Sequence, residues 1–482
     1  MTSSANIGNE NTVWSRRMAW PVASAATVRL ALLAAALARS GTSVIAGGDT
    51  ASYLEPGRNL LLHGRFLTAG APEIERTPGY PLFLAVASLP GTAFAALAQV
   101  ILSAFTVVLV WRLARAVFGG DRIPLMAAWL FAFEPISVIY SVRLLSETLF
   151  LALLLLSLER LAVYLRGHRL RELAVAGIWL AAATYVRPIG YYLPLALAVG
   201  LIAALARTSG LPFQRQWPVA GDPGLPPQRQ WPVAGDPGLR WKAPAVLLLS
   251  VMPWLAAWQL RNWMETRFSG FSSAAIDDLY FFQAAEVTAR IEHRPFADTQ
   301  NDFGYIGEQA YVARHPEQAG WSQAQRLAYM EAAAAGVLRA HPGVFIRMYA
   351  EGSAVVALTP CATELLRLLA AYSEDSEMPT RVVHEGPARA ALRIALEHPW
   401  TAAIMAALEA VLLCLYFLAA RGALCGRVRR DLLWLLLGVS LYFLAVSGGA
   451  QALGRYRLPI MPIVCVFAAA GVRPKNPRLP AC

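Results

Sequence analysis

Long apolar stretches alternate with short polar ones along most of this chain. Runs at 93–110, 193–206 and 432–446 approach or reach the roughly 20 residues an α-helix needs to cross a bilayer. Arranged by hydropathy, a first span at 19–37 leads into an outer loop that lasts to about residue 89. A second span returns the chain to a loop carrying Arg112, Arg115 and Arg122. The third and fourth spans form a tight hairpin around 141–147 and end at Arg166, His168, Arg169 and Arg171. The fifth and sixth turn at 187–192 and return to Arg207, and the seventh covers 244–260. After a long outer segment at 261–398, three closing spans end at 421–430, at 448–457 and in a basic tail. The pattern predicts an all-α polytopic membrane protein with about ten transmembrane helices and a small extracytoplasmic helical domain.

Composition strengthens this picture, because 57% of the 482 residues are hydrophobic and 15% are charged, well under the usual quarter or so. The net charge of +11 would suit nucleic acid, but the Arg and Lys residues collect in alternate loops, as membrane orientation requires. No nucleic-acid partner is expected. The basic loops place both termini in the cytoplasm and divide the chain accordingly. Residues 1–207 form an N-terminal transmembrane module with the first outer loop at 40–89; 208–242 form a cytoplasmic linker; 243–260 span the membrane. Residues 261–398 are extracytoplasmic, 399–472 hold the last spans, and 473–482 are a cytoplasmic tail. Arg16 and Arg17 precede the first apolar run, but no small-residue cleavage site ends it, so the helix is expected to be retained. Arg29 and Arg39 interrupt that span, and snorkelling is the preferred reading over an inward-facing side chain. The five cysteines, Cys361, Cys414, Cys425, Cys465 and Cys482, suggest neither a disulfide framework nor a metal site.

Two segments have local signatures. LPFQRQWPVAGDPG at 211–224 recurs as LPPQRQWPVAGDPG at 225–238, a duplication in a Pro/Gly-rich linker without catalytic content. In the outer segment, Ser322 and Gln325 read as a capping box opening a helix to Arg339 that His341-Pro342-Gly343 stops. At 387–398, Leu392, Ala395 and Leu396 oppose Arg389 and Arg393, as in an interfacial helix.

Ionisable residues at the outer boundary are the candidates for chemistry. Gly48-Asp49-Thr50-Ala51-Ser52-Tyr53 places a carboxylate just past a span, in a loop that also holds Arg58, His63, Arg65 and Arg76. Asp49 suits a general base facing anionic headgroups, or equally an N-cap for the following helix. Arg76-Thr77-Pro78-Gly79-Tyr80-Pro81 opens a turn before the chain re-enters the membrane. Arg143 and Glu147, four apart, would form a boundary ion pair if helical. Arg187-Pro188 and Arg261-Asn262 could be anchors at helix ends. Several arginines at one face nevertheless suit a phosphate leaving group, which guanidinium binds through a directed fork.

The order of these segments resembles the GT-C membrane glycosyltransferases that use polyprenyl-phosphate sugars. These include the protein O-mannosyltransferases, the lipid A aminoarabinose transferases and the Rgt-like lipopolysaccharide glycosyltransferases. The resemblance is carried by residues 49–53, 76–84, 145–150, Arg187-Pro188, Trp258-Gln259-Leu260-Arg261-Asn262 and Gly454-Arg455-Tyr456-Arg457-Leu458-Pro459-Ile460. It spans nearly the whole chain and says little about substrate. It implies a transferase moving a hexosyl or pentosyl group from a polyprenyl-phosphate donor to a hydroxyl of a glycan, lipid or protein. Asp49 would be the base of an inverting displacement, Glu147 the acidic residue of the later hairpin, and the active site extracytoplasmic. Arg76, Arg143, Arg187, Arg261, Asn262, Arg455 and Arg457 would hold the donor and its departing phosphate, and Tyr53 and Tyr80 would stack on a sugar or hold the loop. Some relatives hold a divalent metal; Glu73, Glu75 and His63 are conceivable ligands, though no spacing supports them and no metal residue is assigned.

Two other classes remain open. A secondary transporter would show related halves with polar residues at mid-membrane, whereas these halves look dissimilar and their polar clusters sit at one face. A lipid-linked polysaccharide ligase or polymerase would rely on a late outer loop rather than an acidic motif in the first.

Overall fold

A computed structural model describes residues 4–47, 49–208, 239–305, 307–371, 396–426 and 428–472. The repeat at 211–238, residues 387–395 of the expected interfacial helix and the tail at 473–482 lie outside the described residues. Helices cover the stretches expected to span, the third of them on two helices rather than one. Six of these helices are long and apolar enough to cross a membrane: Arg17–Ser40, Thr92–Phe118, Glu147–Gly167, Pro188–Leu205, Trp241–Thr266 and Pro399–Cys425. Arg122–Ala132 and Pro135–Ser141, bent by 53°, make a seventh if counted together. Leu170–Val186 and Arg430–Val446 have 17 residues each and Met461–Gly471 has 11. At about 1.5 Å rise per residue, 17 residues reach roughly 26 Å, short of a hydrocarbon core about 30 Å thick. Among the described residues six or seven helices are thus full-length spans by length and composition, and the expected count of about ten rests on the shorter helices as well.

The bend has a local cause. Pro135 cannot continue the preceding helix, and Glu134 caps the new one by accepting the amide protons of Ile136 and Ser137 at 3.1 and 2.7 Å. Glu147–Gly167 is the central element, with 72% of its apolar window buried, and packs on Thr92–Phe118 and Leu170–Val186. Pro399–Cys425, at 11%, lies on the periphery. It approaches Met461–Gly471 through Gly422 and Gly471, where a Cβ would meet the carbonyl oxygens of Phe467 at 1.9 Å and Leu418 at 2.0 Å.

Arg29 does not snorkel. Its side chain is fully buried, and it donates to Ser103 Oγ, the carbonyls of Ala25 and Ala132, and Ser137 Oγ at 2.8–3.2 Å. A guanidinium with four acceptors inside the bundle needs no route to water, which the apolar periodicity of the span could not reveal. Arg39, at the helix end, is exposed and donates to the Leu369 carbonyl at 3.1 Å.

Residues beyond Trp241–Thr266 build a second, smaller core of Tyr280, Phe281, Ala284, Tyr311, Leu327, Met330 and Ala334. Ile74, from the first outer loop, is part of it. The capping box is formed in both directions, Ser322 Oγ accepting from Gln325 N and Gln325 Oε1 from Ser322 N, and the helix it opens is Gln323–Ala340. Asp278–Ala284 is a π-helix, a geometry that often marks functional positions. Among the described residues the sheet content is one hairpin, Leu67–Thr68 paired antiparallel with Ala71–Pro72.

Candidate active site

The loop at 40–89 is pinned from both sides. Arg261 donates to the carbonyls of Glu73 at 2.6 Å and Phe66 at 2.8 Å, and its guanidinium lies 5.0 Å from the Trp258 ring centroid. Asn262 is fully buried and donates to the carbonyls of Gly270 and Phe271. Ser273 N–H bonds the Ile74 carbonyl, and Ser272 Oγ donates to the Glu75 carbonyl. Glu73 organises the turn itself: Oε1 accepts the amide protons of Glu75 and Arg76 at 2.7 and 2.9 Å, and Oε2 accepts the Thr68 hydroxyl at 2.5 Å. These bonds aim Arg76 back at the start of the loop.

Asp49 occupies the N-cap position of helix Thr50–His63, yet its side chain makes no capping hydrogen bond. Its carboxylate instead faces two cations, Oδ1 lying 3.5 Å from Arg76 Nη2 and Oδ2 lying 3.2 Å from Arg455 Nη2. The side chain keeps 37% of its surface exposed, so a substrate can reach it. Arg76 also stacks over the Tyr53 ring at 4.8 Å and donates to Ser52 Oγ. Burial works against the Arg76 charge, but Tyr53, Glu75, Asp49 and Glu73 hold the guanidinium above its ordinary value.

Glu147 opens the central span and is buried. It lies 2.6 Å from Arg187 Nη1 and 3.6 Å from Arg455 Nε, so one guanidinium joins both candidate acids. The i,i+4 pair considered for Arg143 and Glu147 does not form, because the helix breaks between Ser141 and Glu147. Arg143 pairs with Glu364 at 2.8 Å and donates to the Val44 carbonyl. Beside Arg455 and Arg187, a small cleft is walled by Glu147, Phe150, Ile189, Tyr456, Leu458 and Pro459. Tyr456 faces both cations, 5.3 Å from Arg455 and 5.8 Å from Arg187. The lining of this cleft combines a carboxylate, two guanidinium groups and apolar side chains.

Tyr80 is buried, donates to Gln99 Oε1 at 2.6 Å and meets the Tyr53 ring edge-on at 4.9 Å. It supports the loop and offers no face to a sugar. Gly79, beside it, lets the loop close, since a Cβ there would lie 2.7 Å from the Tyr185 carbonyl oxygen. Arg457 is buried and donates to the carbonyls of Val356 and Ala357. Asp49, Arg76, Glu147, Arg187 and Arg455 are thus linked in one network, with Tyr53 against it, while Arg143, Arg261, Asn262 and Arg457 hold backbone.

Two neighbours were not singled out as catalytic or donor-binding from the sequence. Glu75 lies 3.4 Å from Arg76, and burial raises its carboxyl above the ordinary range. Asp277, from the outer domain, is pushed up to about 7 by burial and by Glu75. Asp277 is far in sequence from the loop, so no spacing signals it, whereas Glu75 directly precedes the quoted arginine motif. No group of three or more His, Cys, Asp or Glu side chains among the described residues is arranged to hold a metal ion. His63 is exposed at the far end of its helix, and both Glu73 oxygens already accept hydrogen bonds.

Residues 81–220 match the family model for dolichyl-phosphate-mannose-protein mannosyltransferase. This stretch is similar to that family. It includes Arg143, Glu147 and Arg187 and leaves out Asp49, Arg76 and Arg455. The match bears out the resemblance to GT-C glycosyltransferases, and the apolar helices make the chain an integral membrane protein. No curated protein matches the chain. Among solved structures, the Archaeoglobus fulgidus oligosaccharyltransferase tethered with an acceptor peptide has 13% identity and a TM-score of 0.46, over 92% of this chain and 49% of that one. The archaeal oligosaccharyltransferase AglB from the same organism, in complex with an inhibitory peptide and a dolichol-phosphate, has 14% identity and a TM-score of 0.44, over 94% and 50%. ArnT from Cupriavidus metallidurans in the apo state has 14% identity and a TM-score of 0.36, over 94% and 77%. The chain therefore spans about half the length of the oligosaccharyltransferase.

Proposed function

We propose that this protein transfers a sugar from a polyprenyl-phosphate donor to a hydroxyl acceptor at the extracytoplasmic face, with Asp49 as the base. The observation that carries this reading is the carboxylate of Asp49, unused as a cap and sharing Arg455 with Glu147 beside a small cleft lined by two guanidinium groups and apolar side chains. The acceptor O–H gives its proton to Asp49, and its oxygen attacks the anomeric carbon from the side opposite the phosphate. The carbon–oxygen bond to the phosphate breaks with its electron pair, and the polyprenyl phosphate leaves. Arg455 and Arg187 stabilise the charge that develops on that phosphate. Sidedness is supported by the central span: Glu147 opens it and Arg166 lies in its last turn, about 30 Å away at helical rise. Around Arg166 gather Arg112, Arg115, Arg160, Arg171 and Arg429, the excess of cations that marks a cytoplasmic face. Both termini are then cytoplasmic.

Mass spectrometry of membrane lipids and glycans from a deletion strain tests the reading. A polyprenyl-phosphate sugar should accumulate, and one envelope glycan, lipid or glycoprotein should lose a single residue. Unchanged lipids and glycans, with an unchanged donor pool, would contradict it.

A further inference from the structure

The structure ties both halves of the Asp49–Arg455 contact to one late segment, residues 356–364. On one side, Glu364 Oε1 lies 2.8 Å from Arg143 Nε, and both side chains are largely buried, at 12% and 9% exposure. Arg143 in turn donates to the Val44 carbonyl. Its neighbour Leu144 donates its amide proton to the Ile45 carbonyl, so the stretches before Asp49 and around Arg143 run side by side. Thr50 Oγ1 stitches them, accepting from Gly47 N at 2.8 Å and donating to the Leu144 carbonyl at 3.1 Å. The turn that presents Asp49 is therefore set by Arg143 and its carboxylate.

On the other side, Gly454, which precedes Arg455, sits so close to this segment that a Cβ would lie 2.6 Å from Cys361 Sγ and 2.8 Å from the Thr359 carbonyl oxygen. Arg457 continues the tie through the carbonyls of Val356 and Ala357. Cys361 takes a left-handed backbone conformation (φ 56°), turning the chain from the Gly454 contact into helix Ala362–Leu368, where Glu364 stands.

We infer that Glu364 is a positioning residue: through Arg143 it fixes the Asp49 turn against the Arg455 turn, and so sets the geometry of base and phosphate-facing cation. Arg143 is then a strut and does not hold the donor phosphate. This rests on the glycosyl-transfer reading above. The two roles separate kinetically. A phosphate-binding Arg143 supports donor affinity, so its loss raises the KM for donor. A strut acts on alignment, so its loss lowers kcat with KM little changed.

The experiment compares wild type, Glu364→Gln, Arg143→Gln, the double variant and Asp49→Asn, each purified in detergent. It uses a polyprenyl-phosphate sugar and the acceptor identified from the deletion strain, with rates per monodisperse protein. Each single variant at 364 or 143 should lose kcat by a factor on the order of 10–10² with donor KM within about twofold of wild type. The double variant should lose no more than the worse single, because the two side chains act as one unit. Glu364→Asp should recover part of the loss. A donor KM raised tenfold or more in Arg143→Gln, losses that multiply in the double variant, or a Glu364→Gln kcat equal to wild type would overturn the inference. No transfer by the wild type would instead overturn the transfer reading itself, and full activity in Asp49→Asn would overturn Asp49 as its base, so these failures are distinct from that of the inference.

Discussion

Arg455 touches Asp49 through Nη2 and Glu147 through Nε, joining the first outer loop to the start of the central span from a turn 406 residues further along the chain. Burial opposes its charge, but Glu147, Tyr456 and Asp49 hold the guanidinium well above its ordinary value. A permanent cation that reaches two carboxylates through different nitrogens is a geometric requirement, not only a charge.

Arg455→Lys should therefore fail almost as fully as Arg455→Ala. A lysine ammonium is a single point and cannot span both carboxylates. Both variants should lose kcat by a factor on the order of 10²–10³ with the protein still folded. Single-turnover rates with a bound donor are the check, and a lysine variant within about threefold of wild type would refute the shared-guanidinium arrangement.

Glu147→Gln removes the charge that pairs with Arg187 and leaves it part-buried beside Arg455. Breaking a buried pair from one side costs about 3–5 kcal/mol. Thermal unfolding in detergent should show a clear drop in midpoint along with loss of transfer. An unchanged midpoint would show that solvent or lipid compensates the orphaned arginines.

Asp277 gives a stability signal of defined sign. Its folded-state carboxyl sits at about 7, above the unfolded value of about 3.9. The folded state thus holds the proton more tightly, and this contribution is complete below pH 4 and lost as pH rises through 7. Asp277→Asn should be more stable than wild type at pH 8, by an amount on the order of 1–3 kcal/mol, and no more stable at pH 4. Unfolding midpoints at the two pH values decide it.

Arg29→Leu should destabilise the bundle although it makes the first span more apolar. The change strands Ser103 Oγ and the Ala132 carbonyl at the bend of Arg122–Ala132 and Pro135–Ser141. The expected cost is about 3 kcal/mol or more, read as a lower midpoint; a midpoint equal to wild type would restore the snorkelling view.

Hydropathy and basic loops located the long helices, including Glu147–Gly167, but not the short Thr50–His63 or the 3-10 turn Gly454–Ile460 that carries Arg455; the Ser322 capping box was legible because its two partners are three residues apart. Asp49 was legible as a candidate but not as a base or a cap, since the choice depends on Arg455, which no local pattern connects to it. Arg29 was misjudged for the same reason: its acceptors come from three other parts of the chain. Arg143 and Glu147 looked like a helical pair until the chain broke between them and gave each a distant partner. The insertion of Ile74 into the core around Tyr280, which braces the loop before Arg76, is likewise a contact between segments some 200 residues apart.

The central claim is that Asp49 takes the acceptor proton. Asp49→Asn keeps the shape and, having no cap bond to lose, should keep the fold, with wild-type unfolding midpoint and donor binding. Transfer from a polyprenyl-phosphate sugar should fall by a factor on the order of 10²–10⁴. Transfer within a few-fold of wild type, in protein that binds donor normally, would contradict the account and turn attention to Glu147 and Glu75.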